Sequence, residues 1–234
     1  MYKYELHLQT KDFAPKFSDA PSAEEVVEKY IDAGYSGLVL TNPWGKSVFE
    51  NEVYAEKDIK KLGEEFVSAY EKLKTAAGND LTVLLGAEVT TVTHVPGDFL
   101  IYGVTPEFIL DFDEEKADPM YFSDLIKYIH SKGDMLVYQA SPFAPGSIFL
   151  DYDDVEGLEV YNHRRADICR DFFACERAEY YGMGSISGSD LCYTGGSIGG
   201  GIATEAPITS NTELVSVLRN REYRLIKEGK IENV

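Results

Sequence analysis

The stretch Tyr4-Glu5-Leu6-His7-Leu8-Gln9-Thr10 sets a carboxylate, an imidazole and an amide at alternate positions in an apolar run. A strand's period of two puts Glu5, His7 and Gln9 on one face. Imidazole beside carboxylate is metal-ligand chemistry, whereas an amide oxygen suits hard ions and holds zinc poorly. Other apolar runs end in similar groups. Asn42 and Pro43 follow the run ending at Thr41, Glu88 closes the run LTVLLGA, and Asp98 opens the next. Ser141 follows Gln139 and Ala140; His163, Arg164 and Arg165 follow Asn162; Asp190 and Cys192 come after Ser189. Taken singly, such residues serve as turn formers or helix caps. Taken together, His, Glu and Asp from several strand ends make a nitrogen and oxygen donor cluster for a cation. Glu88 is the most telling, because a carboxylate ending so apolar a run is costly to desolvate without a cation or several donors.

Bringing these residues together requires elements that all end at one place. Short apolar runs at 2–8, 37–41, 81–89, 98–104, 135–139, 157–161, 184–189 and 200–204 predict strands. Between them lie helical patterns. Ser22 ahead of Glu24 and Glu25 starts the first, which Gly34 stops. Others are expected at about 55–77, 121–131, 165–181 and 212–219, with Gly78, Gly133 and Gly182 closing the first three. Such alternation argues for an α/β fold with a mostly parallel sheet covered by helices. Seven or eight units without a GxGxxG turn favour a barrel over an open sheet. No linker, repeat or low-complexity tract divides residues 1–234, so one domain is expected. In such folds the reactive groups gather at the carboxyl ends of the strands.

Charge narrows the class of partner. The formal net charge of −18 repels polyanions, so neither nucleic acid nor an anionic membrane surface is an expected partner. A small anion remains compatible where a local basic cluster reverses the field. No run is long and apolar enough to span a bilayer, and the amino terminus lacks a signal-peptide core. Three cysteines form neither a CxxC pair nor an even framework, which suits reduced thiols in a cytoplasmic protein.

In order along the chain, ELHLQT, AGYSGLVLTNP, LLGAEVT, DFLIYGV, VYQASPF, GLEVYN and SGSDLC resemble the motif series of the PHP (polymerase and histidinol phosphatase) superfamily of metal-dependent phosphoesterases. The resemblance covers nearly the whole chain and implies a distorted (β/α)7 TIM-like barrel. It also implies metal ligands at His7, Glu88 and Asp190, with Gln9, Asp98 and Cys192 at further ligand positions. The departures are as informative as the matches. Gln9 replaces the second His of the opening HxH, Asn42-Pro43 replaces Asp-His, Ser141 replaces the His before Pro142, and Cys192 replaces the closing His. Asp98 stands where a ligand His is usual, with His94 a weaker substitute nearby. Asp98 keeps an anionic oxygen and Cys192 a soft ligand, but Pro43 offers no side-chain donor. The three-metal centre is therefore not expected to be intact. The expectation is a divalent ion (Zn, Mn, Mg or Fe), one or two at most, or none.

His163, Arg164 and Arg165 form the one dense basic cluster and are expected to anchor a phosphate or carboxylate, with Asn42 and Ser141 nearby. The glycine-rich 195–201 lacks a P-loop's Gly-Lys-Ser/Thr and reads as a flexible loop. Trp44 is expected to pack, and His130 to serve the carboxyl end of its helix. The expected activity is hydrolysis of a small phosphate ester with a reduced metal site and low or unusual activity. The alternative is a non-catalytic PHP-like domain binding a small anion or a partner protein. An exonuclease accessory role is disfavoured by the charge and by the single domain.

Overall fold

The computed structural model describes residues 1–13, 19–51, 58–91, 96–113, 122–150 and 155–232. Its strands are β1 (Tyr2–Leu8), β2 (Gly37–Leu40), β3 (Pro43–Trp44), β4 (Thr82–Thr91), β5 (Gly97–Tyr102), β6 (Leu136–Ala140), β7 (Gly157–Asn162), β8 (Gly184–Gly188), β9 (Gly201–Thr204), β10 (Arg224–Lys227) and β11 (Lys230–Ile231). They pair in the order β11-β10-β9-β1-β2-β4-β5-β6-β7-β8, with β3 beside β4. Just past β8, Leu191 bridges to Leu8 and its carbonyl accepts from Gln9 N at 2.8 Å, so the sheet curls back onto β1. The result is a distorted TIM-like barrel of mixed α/β type, as the alternation of runs implies.

The sheet is less parallel than the alternation suggests. Strands β1, β2 and β4 run parallel, as do β6, β7 and β8, but β5 runs against both β4 and β6. That reversal explains why Asp98 opens its run instead of closing it. The start of an antiparallel strand lies at the same barrel end as the finish of its neighbours, and Asp98 pairs with Thr90 and Ala140. The hairpin of β10 and β11 has no signal in the apolar pattern, being short and only partly buried.

Helix α1 (Ala23–Asp32) starts where its signals place it. Ser22 and Glu25 form a capping box, Ser22 Oγ accepting from Glu25 N at 3.2 Å and Glu25 Oε2 accepting from Ser22 N at 2.7 Å. Short α2 (Lys46–Phe49) and α4 (Pro106–Leu110) accompany the longer α3 (Ile59–Ala77), α5 (Phe122–Lys132), α6 (Asp171–Tyr181) and α7 (Asn211–Asn220). Asp58 caps α3, and residues 55–57 and 121 of the expected helices lie outside the described residues. The expected helix at 165–181 is corrected. His163–Arg165 is a single 3-10 turn, and α6 begins only after Arg170, whose φ of 54° interrupts helical geometry. Trp44 is fully buried among Phe13, Phe49, Phe66 and Phe112, a packing role as expected.

The end of the glycine-rich stretch, residues 199–201, is packed against β8 and the serine that follows it. Ser189 Oγ accepts from Gly199 N and Gly200 N at 3.0 Å each, and Ser187 Oγ accepts from Gly201 N at 3.1 Å. A Cβ on Gly200 would come within 2.1 Å of the Gly188 backbone, so the two segments touch because neither carries a side chain.

Glu5 ties the barrel together from inside. Its Oε1 accepts from Leu6 N at 3.0 Å, His7 N at 2.8 Å and Ser189 N at 2.8 Å, and its Oε2 from Tyr30 OH at 2.7 Å. One carboxylate thus links β1, α1 and the end of β8. Complete burial pushes this carboxyl up to about 7 against the pull of its donors. A raised folded pKa favours the protonated form, so this contribution is full below the ordinary value of 4.5 and is lost as pH rises through about 7. Glu5→Gln should flatten the pH dependence of urea stability across that window, by on the order of 3 kcal/mol.

Candidate functional site

At the carboxyl end of the barrel, His7, Gln9, Glu88, Asp98, Ala140, Ser141, Arg164, Arg165 and Asp190 line a cavity of about 90 Å³. They come from the carboxyl ends of β1, β4, β6, β7 and β8 and from the start of the antiparallel β5, which meet at this end of the barrel. His7 is the centre of the arrangement. Its Nδ1 meets Glu159 Oε1 at 2.8 Å, and its Nε2 lies 3.7 Å from both Glu88 Oε1 and Asp190 Oδ1. Nε2 is buried and has no hydrogen-bond partner among the described residues. Gly188 makes the room: a Cβ there would sit 2.5 Å from His7 Cβ and 2.7 Å from Glu159 Oε1.

The carboxylates are held by N–H and O–H donors. Glu159 Oε2 accepts from Asn162 Nδ2 at 3.0 Å and from Ser141 N and Oγ at 3.2 Å each. Asp190, in the left-handed region with φ of 52°, accepts on Oδ2 from Arg164 Nη2 at 2.7 Å and Asn162 Nδ2 at 3.1 Å. Glu88 Oε2 accepts from Gln9 Nε2 at 2.5 Å, and Asp98 Oδ1 from Thr90 Oγ1 at 2.8 Å. Arg165 lies farther out, 3.9 Å from both Asp98 Oδ2 and Asp190 Oδ2.

Charges shape the titration of this group. Burial opposes a charged His7, but Glu159 and Asp190 outweigh it and raise the imidazole well above its ordinary value. Burial raises Glu88, with His7 pulling the other way. For Arg164, burial is overcome by Asp190, and the guanidinium is held charged more firmly than usual.

Of the residues expected at the site, His7, Gln9, Glu88, Asp98, Asp190, Ser141, Arg164 and Arg165 come together around the cavity. Asn42, His163 and Cys192 do not line it. Asn42 is buried, with Oδ1 accepting from Thr10 N at 3.0 Å, so it ties the segment after β2 to the segment after β1. His163 faces Tyr161 OH at 2.9 Å and Ser197 Oγ at 3.0 Å, toward the glycine-rich segment. Burial pushes the Cys192 thiol up to about 12, so it is a poor thiolate ligand. Pro43 belongs to β3, beside Glu88. His94 lies outside the described residues.

Glu159 is the partner that a search of strand ends misses, whereas Asn162 stands at the end of β7. The signal was present, since Glu159 is a lone carboxylate inside the buried run GLEVYN and must find donors there.

Whether these residues fit a metal is decided by their donor chemistry. Among the described residues, no group of three or more His, Cys, Asp and Glu side chains is arranged to hold a metal ion. One oxygen of Asp190 is committed to Arg164 and Asn162, and one of Glu88 to Gln9. The set does not fit a PHP-type metal centre.

The fold has relatives among solved structures. A two-domain protein from Bacteroides vulgatus "containing predicted PHP-like metal-dependent phosphoesterase" superposes with a TM-score of 0.66 at 14% identity, over 98% of this chain and 66% of that one. The fold is that of the PHP-like metal-dependent phosphoesterases. The chain spans 66% of that two-domain relative's length. PsfC from Pseudomonas syringae matches over 92% of this chain and 89% of its own, with a TM-score of 0.64 at 17% identity. An amidohydrolase from Chromobacterium violaceum, solved with bound sulfate and no metal, matches over 97% and 98% of the two chains, with a TM-score of 0.51 at 13% identity. No protein-family model and no curated protein matches the sequence. Among the described residues, no helix is long and apolar enough to cross a membrane.

Within this PHP-like site the His7–Glu159 pair is the structural keystone. Glu159→Ala strips His7, Ser141 and Asn162 of their shared acceptor and should cost roughly 3–5 kcal/mol in urea unfolding. Glu159→Gln should cost less, yet lower the His7 pKa in an NMR titration of its ring; an unmoved His7 titration would contradict the pairing.

Proposed function

We infer that the cavity binds the phosphoryl or similar oxyanion group of a small molecule through side-chain cations. The observation that carries this reading is Arg165. Its guanidinium borders the cavity, about a third exposed, and among the described residues makes only the two 3.9 Å pairings with Asp98 and Asp190. Those separations are too long for hydrogen bonds, so its planar fork of donors is available for bidentate capture of an oxyanion. Size points the same way. A cavity of about 90 Å³ suits a single anionic group and is far smaller than the roughly 300–1,000 Å³ of pockets that enclose a whole ligand. The remainder of the ligand would lie outside. The sulfate in the Chromobacterium violaceum relative supports the same chemistry on this fold.

Hydrolysis of a small phosphate ester is a second reading, favoured by His7. Its Nε2 is buried and unpartnered while Glu159 fixes the other ring nitrogen, an arrangement suited to giving a proton to a leaving-group oxygen.

p-Nitrophenyl phosphate and inorganic phosphate, titrated in chelator-treated buffer, test both readings. Wild type should bind phosphate, and Arg165→Ala should weaken binding at least about tenfold. Equal affinity in the two proteins would sink the anion reading. Turnover of p-nitrophenyl phosphate that disappears in His7→Asn would favour hydrolysis over binding alone.

A further inference from the structure

The site joins a fold of metal-dependent enzymes to a donor set that does not fit a metal, and the contradiction meets at Arg164. This residue is fixed twice against Asp190. Its backbone N donates to Ser189 O at 3.2 Å, one residue before Asp190, and its Nη2 donates to Asp190 Oδ2 at 2.7 Å. The 3-10 turn that carries it is itself capped by Asn162 Oδ1, which accepts from Arg165 N at 3.0 Å. Asn162 Nδ2 then holds the same Asp190 oxygen. Arg164 is therefore pre-organised on the carboxylate and is not a surface arginine that happens to reach it.

The donors on the other side of Asp190 are equally specific. His7 Nε2, Glu88 Oε1 and Asp190 Oδ1 face one another, the imidazole nitrogen lying 3.7 Å from each oxygen. An imidazole nitrogen and two carboxylate oxygens are donor types that hold divalent ions, although with Arg164 in place they are not arranged as a metal site. A fixed positive charge on the other oxygen of Asp190 repels such an ion and drains the negative charge that would bind it.

We propose that Arg164 is the pocket's built-in cation, excluding a divalent ion from His7, Glu88 and Asp190, and that removing its guanidinium opens a one-ion site there. The proposal does not depend on oxyanion binding. It explains how an aggregate of Glu88, Asp98, Glu159 and Asp190 persists against His7, Arg164 and Arg165 with nearly balanced charge.

The test loads wild type and Arg164→Met with Mn²⁺ or Zn²⁺, dialyses both, and counts metal by elemental analysis. Wild type should retain no ion above the buffer blank, and its melting temperature should not respond to Mn²⁺. Arg164→Met should retain about one ion per chain, bind Mn²⁺ roughly 100-fold more tightly than wild type, and melt higher as Mn²⁺ is added. Adding Asp190→Asn to that variant should abolish the gain. Wild type that retains a stoichiometric ion overturns the proposal, as does a folded Arg164→Met that gains none or a gain that survives Asp190→Asn. Should Arg164→Met fail to fold, Arg164→Gln keeps a donor for Asp190 while removing the charge, and the same expectations apply. Phosphate titration of Arg165→Ala reads the oxyanion site separately, so either claim can fail while the other stands.

Discussion

Closure of the barrel delivers Glu88, Asp98, Glu159 and Asp190 to one small volume, and buried carboxylates survive there only with cations or N–H donors on them. Much of the local sequence answers that constraint. Gly188 leaves space for the His7–Glu159 contact, Asn162 bridges Glu159 and Asp190, and Gln9 rather than a second imidazole takes up Glu88. Ser141, which replaces a ligand-type histidine, becomes a donor to Glu159. Gln9 and Ser141 thus serve as hydrogen-bond donors to the carboxylates at this end of the barrel.

Much of the fold was legible because its signals are local and physical. Alternation in YELHLQT, the Ser22 cap and the glycine stops locate β1 and α1. The direction of β5 was not legible, since an apolar run of that length reads the same in either sense and only its pairing with β4 and β6 fixes it. The start of α6 was misplaced because His163, Arg164 and Arg165 carry no mark that separates one helical turn from many, whereas the left-handed Arg170 is visible only in the backbone. The packing of the glycine-rich segment's end was not legible for a related reason. Glycine allows both freedom and close approach, and the serines of β8 decide between them.

At the site, residue types foretold which strand ends converge but not how their charges are shared. His7, Glu88, Asp98, Asp190, Arg164 and Arg165 meet as expected, yet Arg164 turns inward to Asp190 while Arg165 stays at the rim. That division of labour between neighbouring arginines depends on the 3-10 turn and its Asn162 cap, a tertiary detail no spacing reveals. One guanidinium balances the interior while the other faces the cavity mouth.

The central claim is that the guanidinium of Arg164, and not a divalent ion, completes the charge around Asp190. An anomalous difference map from crystals of the unaltered protein grown with Mn²⁺ tests it most directly. The account predicts no manganese peak among His7, Glu88 and Asp190, with Arg164 still seated on Asp190. A strong peak at that position, with Arg164 displaced, would contradict it.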